Sequence, residues 1–180
     1  MRKLLFAAVA GASLLAALMA GSLAVAKSGN GSSNARAHLN GYNEVPGSIS
    51  TVARGEFRAK INKQANTIDY RLTYSGIEGG TATQAHIHFG QRHTAPAGNV
   101  SAFLCGGGGE APCPPTAGTV TGTITAAEVV GPAGQGIAPG QMDELIRAMR
   151  AGATYANVHS TTYGGGEIRG QIKAGGRDRD

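Results

Sequence analysis

The sequence predicts an all-β domain: an antiparallel, Greek-key-like β-sandwich or flattened barrel with one short helix inserted before the last two strands. Three observations predict it. Short runs alternate apolar and polar residues with a period of two and are broken by Gly, Asn and Pro, as antiparallel strands are. Glycine supplies 29 of the 180 residues while aromatics are few and Trp is absent, a composition of turns and thin strands. Only one long segment has helical periodicity.

The elements follow in chain order. Val52 to Ile61 places Phe57, Ala59 and Ile61 on one face and Arg58 and Lys60 on the other. After a turn at residues 62–66, Ile68, Tyr70, Leu72 and Tyr74 alternate with Asp69, Arg71 and Thr73, so the two runs predict a hairpin. Thr81 to Phe89 follows, with Ala85, Ile87 and Phe89 on its apolar face. Gly98 to Cys105 and Thr119 to Thr125 supply two more strands, and Ala153 to Ser160 and Gly166 to Lys173 the last two. Met142, Leu145, Ile146 and Met149 recur at i, i+3, i+4 and i+7, and Gly152 stands where a helix stops. Thr125 to Glu128 has capping-box spacing and predicts a shorter helical turn.

The two ends are read apart from the fold. Arg2 and Lys3 precede an apolar stretch from Leu4 to Ala20, and Ala24-Val25-Ala26 offers a small-x-small cleavage site. Residues 1–26 therefore predict a signal peptide, with export to a secreted or periplasmic setting and no stable membrane insertion after cleavage. Residues 27–35 read as a Gly/Ser/Asn linker, 36–173 as the domain and 174–180 as a disordered tail. Without the leader the chain carries 14 Lys and Arg against 11 acids. No basic run is interleaved with aromatics, which argues against a nucleic-acid partner. The two cysteines, Cys105 and Cys113, predict a disulfide in an exported chain, worth about 2–3 kcal/mol in the loop-entropy model.

The chemistry centres on QAHIHFG, residues 84–90. On a strand, His86 and His88 share one face roughly 6.5–7 Å apart at Cα, close enough for both imidazoles to reach one metal ion. In YANVHS, His159 alternates with Tyr155 and Asn157 on the polar face of its own strand. If the two strands are neighbours, three imidazoles meet outside one sheet. His93, in a loop, and His38, near the start of the first strand, read as surface histidines. Other chemistries find less support. There is no G-x-S-x-G, and GGGG at 106–109 is followed by neither Lys nor helix, so it is no phosphate-binding loop. Glu44 and Glu167 read as surface carboxylates, paired with Arg169 or Arg54 rather than with each other.

Four segments in order, LNGYNEVPG at 39–47, QAHIHFG at 84–90, AGATYANVHS at 151–160 and GEIRGQI at 166–172, resemble the chordin-type CHRD domain. FLCGGGG followed by PCPP and GTVTGTITAAEVVGPAGQGI resembles the bacterial exported members of that family. The resemblance implies an all-β, immunoglobulin- or superoxide-dismutase-like sandwich in an extracytoplasmic setting. The His-x-His strand and disulfide-pinned loop also resemble, locally, the copper strand of copper/zinc superoxide dismutases. The zinc loop of those enzymes has no counterpart here apart from His93.

Two functional expectations result. The first is an exported protein that binds one transition metal through His86, His88 and His159, with copper ahead of zinc in the Irving–Williams order. An open coordination position would permit redox activity of superoxide dismutase type, and whether the chain is an enzyme stays open. The second is a non-catalytic binding or matrix module for a protein or carbohydrate partner.

Overall fold

The computed structural model describes residues 32–92 and 99–175. Its nine strands are β1 Ser32–Asn40, β2 Arg54–Asn62, β3 Thr67–Ser75, β4 Ala82–Phe89, β5 Val100–Cys105, β6 Gly118–Ile124, β7 Thr154–Ser160, β8 Ile168–Gln171 and β9 Lys173–Ala174. The helix α1, Met142–Arg150, precedes the last three. All pairings are antiparallel, in the order β5-β4-β7-β8-β1-β2-β3-β6, with β9 beside β1. β5 and β6, at the two ends of that order, lie against each other, so the sheet is a nearly closed barrel rather than two separate layers. The chain from β3 to β4 joins strands that are not neighbours, whereas β5 and β6 lie side by side at the closing seam.

The predicted hairpin is present: β2 and β3 pair in register from Arg54↔Ser75 to Asn62↔Thr67. Phe57, Ile61, Ile68 and Leu72 are fully buried on its inner face, while Arg58, Lys60, Asp69 and Arg71 face out. Burying each large aliphatic side chain contributes about 1.5–3 kcal/mol, so this inner face is the main support of the barrel. Tyr70 also points inward, and its hydroxyl donates to the Leu104 carbonyl of β5 at 2.8 Å, tying the barrel across its interior.

The helix lays Met142, Leu145, Ile146 and Met149 on the core. Asp143 and Glu144 in its first turn and Arg147 and Arg150 in its last match the helix dipole. It ends at Gly152, whose φ of 70° favours glycine. The Ala153 amide bonds back to the Ala148 carbonyl at 2.9 Å and the Gly152 amide to Met149 at 3.1 Å, a Schellman cap. Thr125 opens a 3-10 turn at Ala126–Glu128, its amide donating to the Glu128 carboxylate at 2.6 Å.

Three boundaries differ from the sequence reading. β1 begins at Ser32, inside the segment read as a linker, because Ala35, Ala37 and Leu39 are its inward positions and the pairing with β2 runs on to Asn62. The run 52–61 starts only at Arg54, leaving Val52 68% exposed. The last run is split at Ile172, and Ala174, read as tail, belongs to β9. Residues 1–26, read as a signal peptide, lie outside the described residues, as do 27–31, 93–98 and 176–180. Among the described residues no helix is long and apolar enough to cross a membrane.

Candidate metal centre

β4 pairs with β7, setting Gln84 opposite His159, His86 opposite Asn157 and His88 opposite Tyr155. His86 and His88 therefore share one face with His159, as their spacing requires. That face points away from the core, which takes Ala85 and Ile87 from β4 and Ala156 and Val158 from β7. The pairing of β4 with β5 is irregular on both sides of the pair, between Ala85 and His86 and between Ile87 and His88. Such irregularities re-aim side chains and recur beside functional sites.

The three rings converge. His86 and His159 have centroids 4.8 Å apart, His86 and His88 5.1 Å, His88 and His159 5.7 Å. One nitrogen from each lies within 4.8 Å of the others. His159 Nδ1 is 3.0 Å from the Gly164 carbonyl, which can only accept, so that nitrogen carries the proton and Nε2 keeps its lone pair. That Nε2 lies 3.0 Å from His86 Nδ1. A backbone carbonyl fixing the tautomer of a ligating histidine is the usual outer support of a metal site.

The rings are buried, with exposures of 4% for His86, 1% for His88 and 6% for His159. Although this face lies outside the core, neighbouring side chains and loops cover the outer wall of β4 and β7. Phe103 meets the edge of His86, and Tyr155 stacks on His88 at 4.7 Å. Burial drives His86 down to about 3 and His88 to about 2, each helped by its histidine neighbours. Burial lowers His159 as well, against its bond to Gly164. All three are neutral at ordinary pH, the form in which imidazole binds metal. Among the described residues, His86 Nε2 and both His88 nitrogens find no hydrogen-bond partner. Buried polar atoms are rarely left so, and those orphaned nitrogens fit a donor set. The arrangement could hold a metal ion.

Two neighbouring carboxylates were expected on the surface and are not there. Glu167 is fully buried: Thr51 Oγ1 and the Glu78 amide donate to Oε1 at 2.9 and 2.8 Å, and the Gly79 amide to Oε2 at 3.0 Å. Burial raises its pKa, but these donors and Ser160 outweigh it and hold the carboxyl below its usual range. Any side chain at Gly79 would strike Ser160 and Glu167. Glu44 is 5% exposed and takes two 3.3 Å contacts from Asn157 Nδ2; burial pushes it up to about 7 against the pull of Arg169. Arg169 points away from the core as expected but is 2% exposed, lies 3.5 Å over the Tyr155 ring and donates to the Gln91 carbonyl. It is not a surface ion pair.

His38 is exposed on β1, paired opposite Glu56, and stands apart from the trio. His93 lies outside the described residues. Cys105 and Cys113 form a disulfide, with Cα atoms 5.1 Å apart, that closes the loop after β5.

A family model for the CHRD domain matches residues 35–172, nearly the whole described chain. The chain belongs to the CHRD domain family. In this CHRD domain the match ends at Ile172, the inward residue between β8 and β9, and spans every strand that carries the histidine cluster. No curated protein matches the chain.

Proposed function

We propose that this CHRD domain is an exported protein that holds one transition-metal ion through His86, His88 and His159, copper by preference. The observation that supports it is the convergence of three buried, neutral imidazoles, three of whose nitrogens have no hydrogen-bond partner among the described residues. Nitrogens at about 2.0–2.1 Å from one ion can be at most about 4.2 Å apart, so the widest gap of 4.8 Å closes by roughly half an ångström on binding. Side-chain rotation within the cluster supplies that.

The choice of copper rests on donor chemistry. Imidazole suits copper and zinc alike, and affinity peaks at Cu(II) in the divalent series. Three protein ligands leave a coordination position open, the condition for redox chemistry. Export is supported by the leader-like first 26 residues, by the family's extracytoplasmic setting and by the Cys105–Cys113 disulfide, which persists in oxidising compartments.

Elemental analysis of protein exported by the expressing cell and purified without chelator tests the reading. One equivalent of copper per chain is expected, lost in a His86→Ala, His88→Ala double variant. Equal metal content in wild type and variant would overturn it.

A further inference from the structure

A second feature lies on the barrel wall carried by β1, β2, β3 and β9. The registers place Lys173 opposite Arg36, Arg36 opposite Arg58, and Arg58 opposite Arg71. Four cationic side chains thus stand in one row across four adjacent strands, all exposed. With strands about 4.8 Å apart the row is roughly 14 Å long. Arg54 and Lys60 flank it on β2. This one face carries six of the eleven Lys and Arg among the described residues but only two of their nine carboxylates.

Those two carboxylates offset only part of that charge. Glu56 is engaged by Arg58 of its own strand at 2.8 Å. Asp69 accepts from the Thr123 hydroxyl at 2.7 Å. Arg36, Arg71 and Lys173 form no ion pair with any described residue. Like charges directly opposite one another destabilise a sheet, so this row opposes folding unless something outside the chain neutralises it. A groove of ≈ 760 Å³ lies over the row, lined by Arg36, Arg58, Lys60, Arg71 and Lys173 together with Asp69.

We propose that this face binds a linear acidic polysaccharide, whose evenly repeated carboxylate or sulfate groups match a straight row of fixed cations. A regular anionic chain can meet successive arginines with bidentate contacts. Nucleic acid fits less well. The row lies on a broad sheet wall that cannot enter a major groove, and no aromatic ring stands beside it for stacking, since Tyr70 points inward. A lipid surface fits less well too: among the described residues the exposed large hydrophobic side chains are Tyr42, Val52 and Val130, none of them in the row. The surface is a different sector of the barrel from the histidine cluster, so the two readings stand or fall separately.

The test is affinity of the exported protein for heparin, as a sulfated probe, and for polygalacturonate, as a carboxylated one, measured at low salt and again across a salt series. The wild type should bind at least one of them, with affinity falling steeply as salt rises. An Arg36→Gln, Arg58→Gln, Arg71→Gln triple variant should lose at least tenfold in affinity and show a shallower salt dependence. Arg147→Gln on α1 should bind as the wild type does. The triple variant should melt no lower than the wild type, because relieving like-charge contact does not weaken the sheet. Undiminished binding by the triple variant, no binding to either polymer, or tighter binding to duplex DNA or phosphatidylglycerol vesicles would each overturn the proposal.

Discussion

The guanidinium of Arg169 lies 3.5 Å over the ring of Tyr155, and that same ring stacks on His88 at an interplanar angle of 3°. Tyr155 sits on β7 between β8, which carries Arg169, and β4, which carries His88. The three side chains form one layer that walls the histidine cluster on its β8 side. Removing Arg169 therefore uncovers a buried aromatic and leaves Glu44 without its cationic neighbour. Arg169→Ala should cost about 2–3 kcal/mol in chemical denaturation, by loss of a desolvated cation–π contact and a buried charge partner. Arg58→Ala, on the exposed wall, should leave the denaturation midpoint nearly unchanged.

Ile168, the neighbour of Arg169 on β8, faces the core and is fully buried. Ile168→Ala should cost about 2–5 kcal/mol, the range for large-to-small core changes. Equal midpoints for the Ile168 and Arg58 variants in urea would place the strand's faces wrongly.

These two residues show what was legible in the sequence. Period-two alternation from Ile68 to Tyr74 survives in the structure because one face is core and the other solvent; Ile168 faces the core as read, although the opposite face of β8 is covered as well. The helix, its Gly152 cap and the disulfide were legible for local reasons. β7 was harder: every residue from Thr154 to Ser160 is buried, so polarity no longer reports exposure. The sequence placed His86, His88 and His159 on polar faces, but whether those faces met depended on β4 pairing with β7, which local pattern does not encode. The burial of Glu44, Glu167 and Arg169 depends on loops brought over the outer wall by distant segments, and no short window of sequence carries that.

Glu167 joins the loops at Thr51 and at Glu78–Gly79 to the start of β8. Its carboxyl is held low in the folded protein, so it stabilises the fold above the usual carboxylate range, and that stability is lost as pH falls through the folded value. Glu167→Gln should cost about 1–3 kcal/mol at neutral pH, since a neutral amide cannot replace a carboxylate accepting from several donors. The difference between variant and wild type should shrink on acidification. An unchanged difference from pH 7 to pH 3 would mean the carboxylate is not held by these bonds.

The neutral histidines set the acid behaviour of the metal-free protein. Their folded values are depressed below 6.5, to about 3 for His86 and about 2 for His88, so unfolding takes up protons below pH 6.5 and stability falls as pH drops. Glu44 acts in the opposite sense: raised from 4.5 to about 7, it favours the fold at low pH and loses that contribution as pH rises between those values. Near pH 5.5 proton uptake by the histidines on unfolding outweighs proton release from Glu44, so stability falls as pH drops through this range. Urea denaturation of metal-free protein across pH 4.5–6.5 measures the slope, which should be reduced in His86→Gln. A flat profile would contradict the buried neutral state.

Copper titration by calorimetry, on metal-free wild type and on the His86→Ala, His88→Ala and His159→Ala variants, tests the central claim most directly. The wild type should bind one Cu(II) per chain, more tightly than Zn(II), and should keep that affinity below pH 6, because burial holds the imidazoles neutral well under the usual histidine range. Each of the three variants should weaken that binding at least tenfold, while His38→Ala, on exposed β1, should leave it unchanged. Binding in the wild type no tighter than in the three variants would show that the cluster holds no metal.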